Sequence, residues 1–140
     1  MTSRSDLSGL LNLVEMRYAA QNRAFQEIVA EENSIRAELQ KISAEDRAAD
    51  VAQGTEMRAI GADVIWKAWV GRSRRSLNMR LAQVLVKKEH HLRQVKRAYG
   101  KVLVTRELLE NQVQSETNSA QQSQLETAVS QHLSRIPKRQ

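Results

Sequence analysis

Stepping from Leu7 by four and three residues in turn picks out Leu7, Leu11, Val14, Tyr18, Gln21, Phe25, Ile28, Glu32, Ile35, Leu39 and Ile42, and nine of these eleven are apolar. A helix turns once per ~3.6 residues, so this repeat lays a narrow apolar stripe along one side of a long helix. So narrow a stripe cannot wall a thick core. It is buried by a second helix that carries a matching stripe. Gln21 and Glu32 interrupt the seam, and polar seam residues fix register at some cost in stability.

A matching stripe lies further on, at Leu77, Leu81, Val84, Lys88, His91, Val95, Tyr99, Val102, Arg106, Leu109 and Val113, with eight of eleven apolar. Leu85, Leu92 and Leu103 widen it, and Met57, Ile60, Val64, Ile65, Trp66 and Trp69 precede it. The chain has 5 Gly and 1 Pro, and aromatic residues make up 4% of it. That leaves few turn punctuators and little material for a globular interior. The predicted fold is all-α: one elongated antiparallel two-helix coiled-coil hairpin over residues 1–140. Asp6 or Ser5 caps a first helix of about residues 5–50. The seam fails after Ile42, where Asp46, Ala49, Gln53 and Glu56 take its positions. The turn falls at about 51–55, with Gly54 as helix stop and Thr55 as the next N-cap. A rival turn lies at Gly71-Arg72-Ser73. The second helix runs from about 56 to 116, roughly 90 Å at 1.5 Å per residue. Gly100 inside it costs about 1 kcal/mol against Ala, and its missing Cβ leaves room for another chain to approach. From Asn111 to Gln124, ten of fourteen residues are Asn, Gln or Ser. No Gly or Pro breaks this stretch, so the helix can extend to 136, where Pro137 stops it.

Charge is the second constraint. Lys67 to Arg106 holds twelve Lys or Arg and a single acid, Glu89, a local net charge of +11. Residues 1–66 carry seven basic and eleven acidic side chains, and residues 107–140 carry three and four. On a helical wheel Arg72, Arg75, Arg80, Lys87, Arg93, Lys96, Arg97 and Lys101 fan out around the apolar stripe. A merely solvated face mixes signs; this one lacks acids and so reads as a surface for an anionic partner. Part of the charge is answered internally if the first helix brings Glu27, Glu31, Glu32 and Glu38 alongside. Trp66 and Trp69 share a helix face. They either pack near the hairpin turn or anchor a partner.

No catalytic site is predicted. Cysteine is absent, which removes thiolate and disulfide chemistry and is compatible with a reducing compartment. His90 and His91 point about 100° apart on a helix and have no third ligand at metal-binding spacing. No phosphate-binding glycine loop and no nucleophile on a rigid scaffold are present. The chain is therefore expected to be no enzyme and to hold no metal or cofactor. No apolar run approaches the ~20 residues that span a bilayer, and the N-terminal segment does not read as a signal peptide.

The stretch GADVIWKAWVGRSRRSLNMRLAQVLVKKEHHLRQVKRAYGKVLVTRELL places Trp66-x-x-Trp69 ahead of Arg75-Ser76-Leu77-Asn78, with Ala98-Tyr99-Gly100-Lys101 further on. With two long helices and a basic second one, it resembles the coiled-coil stalk protein of the bacterial flagellar type III export apparatus (the FliJ type) and its injectisome relatives (the YscO type). The motif covers about a third of the chain and the architecture most of it. The resemblance implies a cytoplasmic helical hairpin, peripheral to the inner-membrane export apparatus and without membrane insertion. Its partners would be the export ATPase ring, the export gate and export chaperones. The stalk itself performs no chemistry, and no ATPase-contacting residue is carried over. Two other readings stay open. A sequence pI near 10.1 with clustered Lys and Arg meets the first electrostatic criterion for a nucleic-acid binder, though no known DNA-reading motif is present. A purely structural coiled-coil scaffold is the third.

Overall fold

A computed structural model describes residues 3–52, 54, 56, 58 and 60–137. Two long helices, α1 (Arg4–Ala52) and α2 (Ala62–Ser134), pack against each other, and no strand occurs among the described residues. The fold is an all-α two-helix hairpin. Its contacts divide into two units, one of residues 19–97 and one of residues 1–18 with 98–140.

In the 19–97 unit, Asp46 meets Lys67, Ser43 meets Arg74 and Glu32 meets Lys88. Numbers fall along α1 as they rise along α2, so the segments are antiparallel. Ile28, Ile35, Leu77 and Val84 form the buried centre, with Leu39, Ile42 and Leu81 packed against it. In the other unit Arg4 faces Glu116, Glu15 faces Arg106 and Tyr18 lies against Tyr99, again antiparallel. Leu7, Ala98, Val102 and Thr105 are buried there.

Every α1 seam position expected from the repeat is buried or half-buried. The seam does not fail after Ile42. Asp46 is 8% exposed and Ala49 half-buried, so the four-three repeat continues with a carboxylate inside it. In α2 the buried face keeps an unbroken repeat through Val70, Arg74, Leu77, Leu81, Val84, Lys88, His91 and Val95, then Ala98, Val102, Thr105 and Leu109. Tyr99 and Arg106, expected in the seam, are exposed, and Ala98 and Thr105 hold their places. Two successive steps of four, from His91 to Val95 to Tyr99, rotate off the face; the repeat requires a step of three, which lands on Ala98. Thr105 tolerates burial because its hydroxyl donates to the Lys101 carbonyl at 2.7 Å. Leu85 and Leu103 are exposed, while Leu92 is half-buried.

The ends correct the expected cap of α1 and the expected start of the second helix. Ser3, not Ser5 or Asp6, caps α1. The Asp6 N–H donates to Ser3 Oγ at 3.1 Å and the Ser3 N–H donates to Asp6 Oδ2 at 3.2 Å. This reciprocal capping box satisfies two otherwise orphaned donors. α1 ends at Ala52 and Gly54, the expected helix stop, is not helical; Gln53 and Thr55, the expected N-cap, lie outside the described residues. Glu56 and Arg58 are helical, yet α2 begins only at Ala62. Gly61 intervenes at φ 74°, a left-handed conformation that a Cβ disfavours and that ends a helical turn. Its N–H donates to the Arg58 carbonyl at 3.2 Å, and its carbonyl accepts the Ile65 N–H at 3.3 Å. Gly71 and Ser73 lie within continuous helix, so no turn occurs there. The Asn111–Gln124 stretch stays helical. Hydrogen bonds spanning three residues, from the Arg135 N–H to the His132 carbonyl at 3.2 Å and from the Ile136 N–H to the Leu133 carbonyl at 3.3 Å, close the last turn before Pro137. Every residue from Gln114 to Pro137 is exposed.

Candidate functional site

The cations of α2 fall into two sets. The first faces α1 and is neutralised. In the 19–97 unit, Lys67 Nζ lies 2.8 Å from Asp46 Oδ1 and 2.9 Å from Asp50 Oδ1. Arg74 reaches Asp46 Oδ2 at 3.6 Å, and Lys88 Nζ lies 2.7 Å from Glu32 Oε1. Glu32 also takes Arg36 Nε from its own helix at 2.8 Å. These carboxylates are nearly enclosed, at 6% exposure for Glu32 and 8% for Asp46, so each needs its partners to stay charged. The hydrogen bond from Lys67 holds the Asp46 carboxyl below its ordinary pKa against the opposing effect of burial. The bond from Lys88, then that from Arg36, does the same for Glu32. Lys67 is raised in return, chiefly by Asp46. Of the four glutamates expected to neutralise α2, only Glu32 does so; Glu27, Glu31 and Glu38 are exposed and pair with nothing among the described residues.

The second set makes no ion pair with α1 among the described residues, and only Arg72 of it borders grooves that α1 also lines. Arg72, Arg75, Arg80, Lys87, Arg93, Lys96 and Arg97 are all exposed, and none has an ion-pair partner among the described residues. Lys101, in the other unit, is likewise exposed and without an ion pair. The residues expected to meet a partner are thus the unneutralised ones, and Lys67, Arg74, Lys88 and Arg106 serve the hairpin itself. At about 100° of rotation per residue, the seven cations of the 19–97 unit spread over an arc of roughly 200°.

Trp66 and Trp69 stack at 5.1 Å with their planes 28° apart. Trp66 is half-buried, and its Nε1–H donates to Asp46 Oδ1 at 3.1 Å, which ties it to the hairpin. Trp69 is 42% exposed. Together with Ala49, Ala52, Ala62 and Ile65 they line an open apolar groove of about 620 Å³, with Glu45 and Arg72 at its rim. The sequence reading missed this groove, because alanines on α1 carry no signal until α2 lies beside them. It also missed Asp46, which has a legible signal: it continues the repeat on α1.

His90 and His91 stand edge to face at 5.6 Å, and no group of three His, Cys, Asp or Glu converges among the described residues. His91 Nδ1 is enclosed without a hydrogen-bond partner. No helix among the described residues is long and apolar enough to cross a membrane. The fold and surface thus define a two-helix hairpin whose second helix carries a broad, unneutralised cationic face. Comparison with protein-family models, with curated proteins and with solved structures returned no match.

Proposed function

We propose that this chain is a non-catalytic stalk that docks the basic face of α2 into an acidic oligomeric partner. On the sequence resemblance, the partner is the ATPase ring of a bacterial flagellar type III export apparatus. The stalk would couple the ring to the export gate from the cytoplasmic side, be held at the membrane only through its partners, and meet export chaperones. The observation that carries this reading is the wide arc of exposed, unpaired cations on a helix whose apolar seam is already occupied by α1. One flat anionic surface would engage only part of such an arc. A ring encloses its shaft and can answer charge from several sides, and its field steers a cationic rod inward.

The same unpaired cations favour a second reading, a nucleic-acid binder. The two are separated by titrating the full chain against the assembled export ATPase, duplex DNA and RNA at ~150 mM salt, where the screening length is about 8 Å. The stalk reading expects saturable binding to the ATPase that outcompetes both nucleic acids. Tighter binding to DNA or RNA, with a log-log salt slope that drops as each Lys or Arg is removed, would replace it with the second reading. No binding to any of the three would leave only a structural scaffold.

A further inference from the structure

The face of α2 opposite its seam is not uniformly charged. A second three-four repeat runs along it through Arg72, Arg75, Met79, Ala82, Val86 and Arg93. All six are exposed, Met79 at 61% and Val86 at 71%. The stripe lies roughly 160° around the helix from Leu77 and Leu81, at 100° per residue, and α1 leaves it exposed, although the Arg72 end also borders a groove lined by Glu38 and Ile42 of α1. Glu89 is the one acid on it, and Lys96 follows Arg93 at the next step. Arg72, Arg75 and Met79 also border a shallow groove with Ser76, Arg80 and Gln83. Two turns of apolar surface are thus bracketed by Arg72 and Arg75 on one side and, beyond Glu89, by Arg93 and Lys96 on the other, and none of these four cations has an ion-pair partner among the described residues.

We infer that this stripe receives a third helix: an acidic amphipathic helix from another protein. The repeat is the one by which helices pack side by side. Exposed Met79 is a soft, adaptable anchor, and Val86 a stiff one. The unpaired cations on either side of the patch select carboxylates, and they specify where those carboxylates fall relative to the partner's apolar residues. A second copy pairing through the same stripe would bring arginine against arginine. A membrane surface would need a broader apolar face than two turns of Met, Ala and Val. This inference does not rest on the ring reading, because it concerns one ridge of α2 and any partner with the complementary helix.

The test uses the full chain and a labelled acidic, helix-forming peptide with one short apolar stripe. About 25 residues, ~36 Å as a helix, span Arg72 to Lys96. Binding is followed by fluorescence anisotropy beside a scrambled peptide of equal composition and charge. The expected result is that the patterned peptide binds more tightly than the scrambled one, and that Met79→Ser with Val86→Ser weakens it roughly tenfold. Arg72→Ser with Arg93→Ser should weaken it comparably and flatten its salt dependence. Circular dichroism confirms that these exposed substitutions leave the helices in place. Equal binding of both peptides, or no effect of the Met79 and Val86 substitutions, would overturn the inference by showing attraction through charge alone. So would binding of anionic phosphatidylserine vesicles that is lost in the Met79 and Val86 variant while the peptide does not bind.

Discussion

Ile35→Ala is the sharpest probe of the hairpin, because Ile35 is fully buried, at 0% exposure, among Ile28, Leu77 and Val84. The substitution deletes three carbons. At about 0.8 kcal/mol per buried methylene, the lost transfer energy is ~2.4 kcal/mol. If the helices close over half of a void of ~80 Å³, the remaining cavity adds about 1 kcal/mol. Alanine's better helix propensity returns roughly 0.4 kcal/mol, so the net loss is ~3 kcal/mol. Phe25 and Leu81, which are only half-buried, should lose less on truncation, on the order of 1–2 kcal/mol. Both tryptophans of the chain lie in the 19–97 unit with Ile35, so their emission during urea unfolding reports on the relevant packing. Val86→Ala is the internal control: at 71% exposure it should change stability by no more than about 0.5 kcal/mol. A loss below ~1 kcal/mol for Ile35→Ala, or a larger loss for Val86→Ala, would refute this assignment of the buried face.

Lys88→Leu, which its seam position alone would mark as stabilising, should lower the urea midpoint because it strips enclosed Glu32 of its closest cation; adding Glu32→Leu should recover stability beyond the single variant, and a Lys88→Leu protein as stable as wild type would contradict the ion pair's role. Asp46 and Glu32 have depressed folded pKa values, so the unfolded chain binds more protons and their stabilisation is complete above the ordinary carboxylate range near about pH 4, then lost as pH falls through the lower folded values. Lys67 is raised, so its contribution is complete below its ordinary range near about pH 10 and lost above it; Asp46→Asn should flatten both limbs of the stability–pH curve, and unchanged limbs would remove Asp46 from the account. Gly61→Ala should cost roughly 1–2 kcal/mol because φ is positive there, whereas Gly71→Ala, mid-helix in open space, should gain about 0.5–1 kcal/mol. Equal effects at the two glycines, read by thermal melts, would contradict the left-handed conformation at Gly61.

The hairpin was legible because burial in a two-helix protein follows one period, and α1 shows it almost without error. The misses share a physical cause. Ala98 and Thr105 belong to the seam by spacing yet look too small or too polar, while Tyr99 and Arg106 look wrong only once the repeat is held strictly. Asp46 reads as a break until Lys67 and Trp66 stand opposite it across the hairpin. Both Gly54 and Gly61 can punctuate a helix, and sequence alone does not say that Gly61 takes the left-handed conformation ahead of α2. The unpaired cations were recognisable because acids are missing from their own helix. The groove at Trp69 and the ridge at Met79 were not, since a groove needs two helices side by side and exposure depends on which face α1 takes.

The central claim, that the outward cations of α2 are the docking surface, is tested most directly by the turnover of the assembled export ATPase titrated with this protein. The account predicts that wild-type chain raises turnover saturably and that Arg93→Ser, Lys96→Ser and Arg97→Ser together abolish the effect with helix content intact. It also predicts that Arg106→Gln, which removes a cation already paired with Glu15, leaves the effect in place. An unchanged turnover with wild-type chain, or equal stimulation by the triple variant, would contradict it.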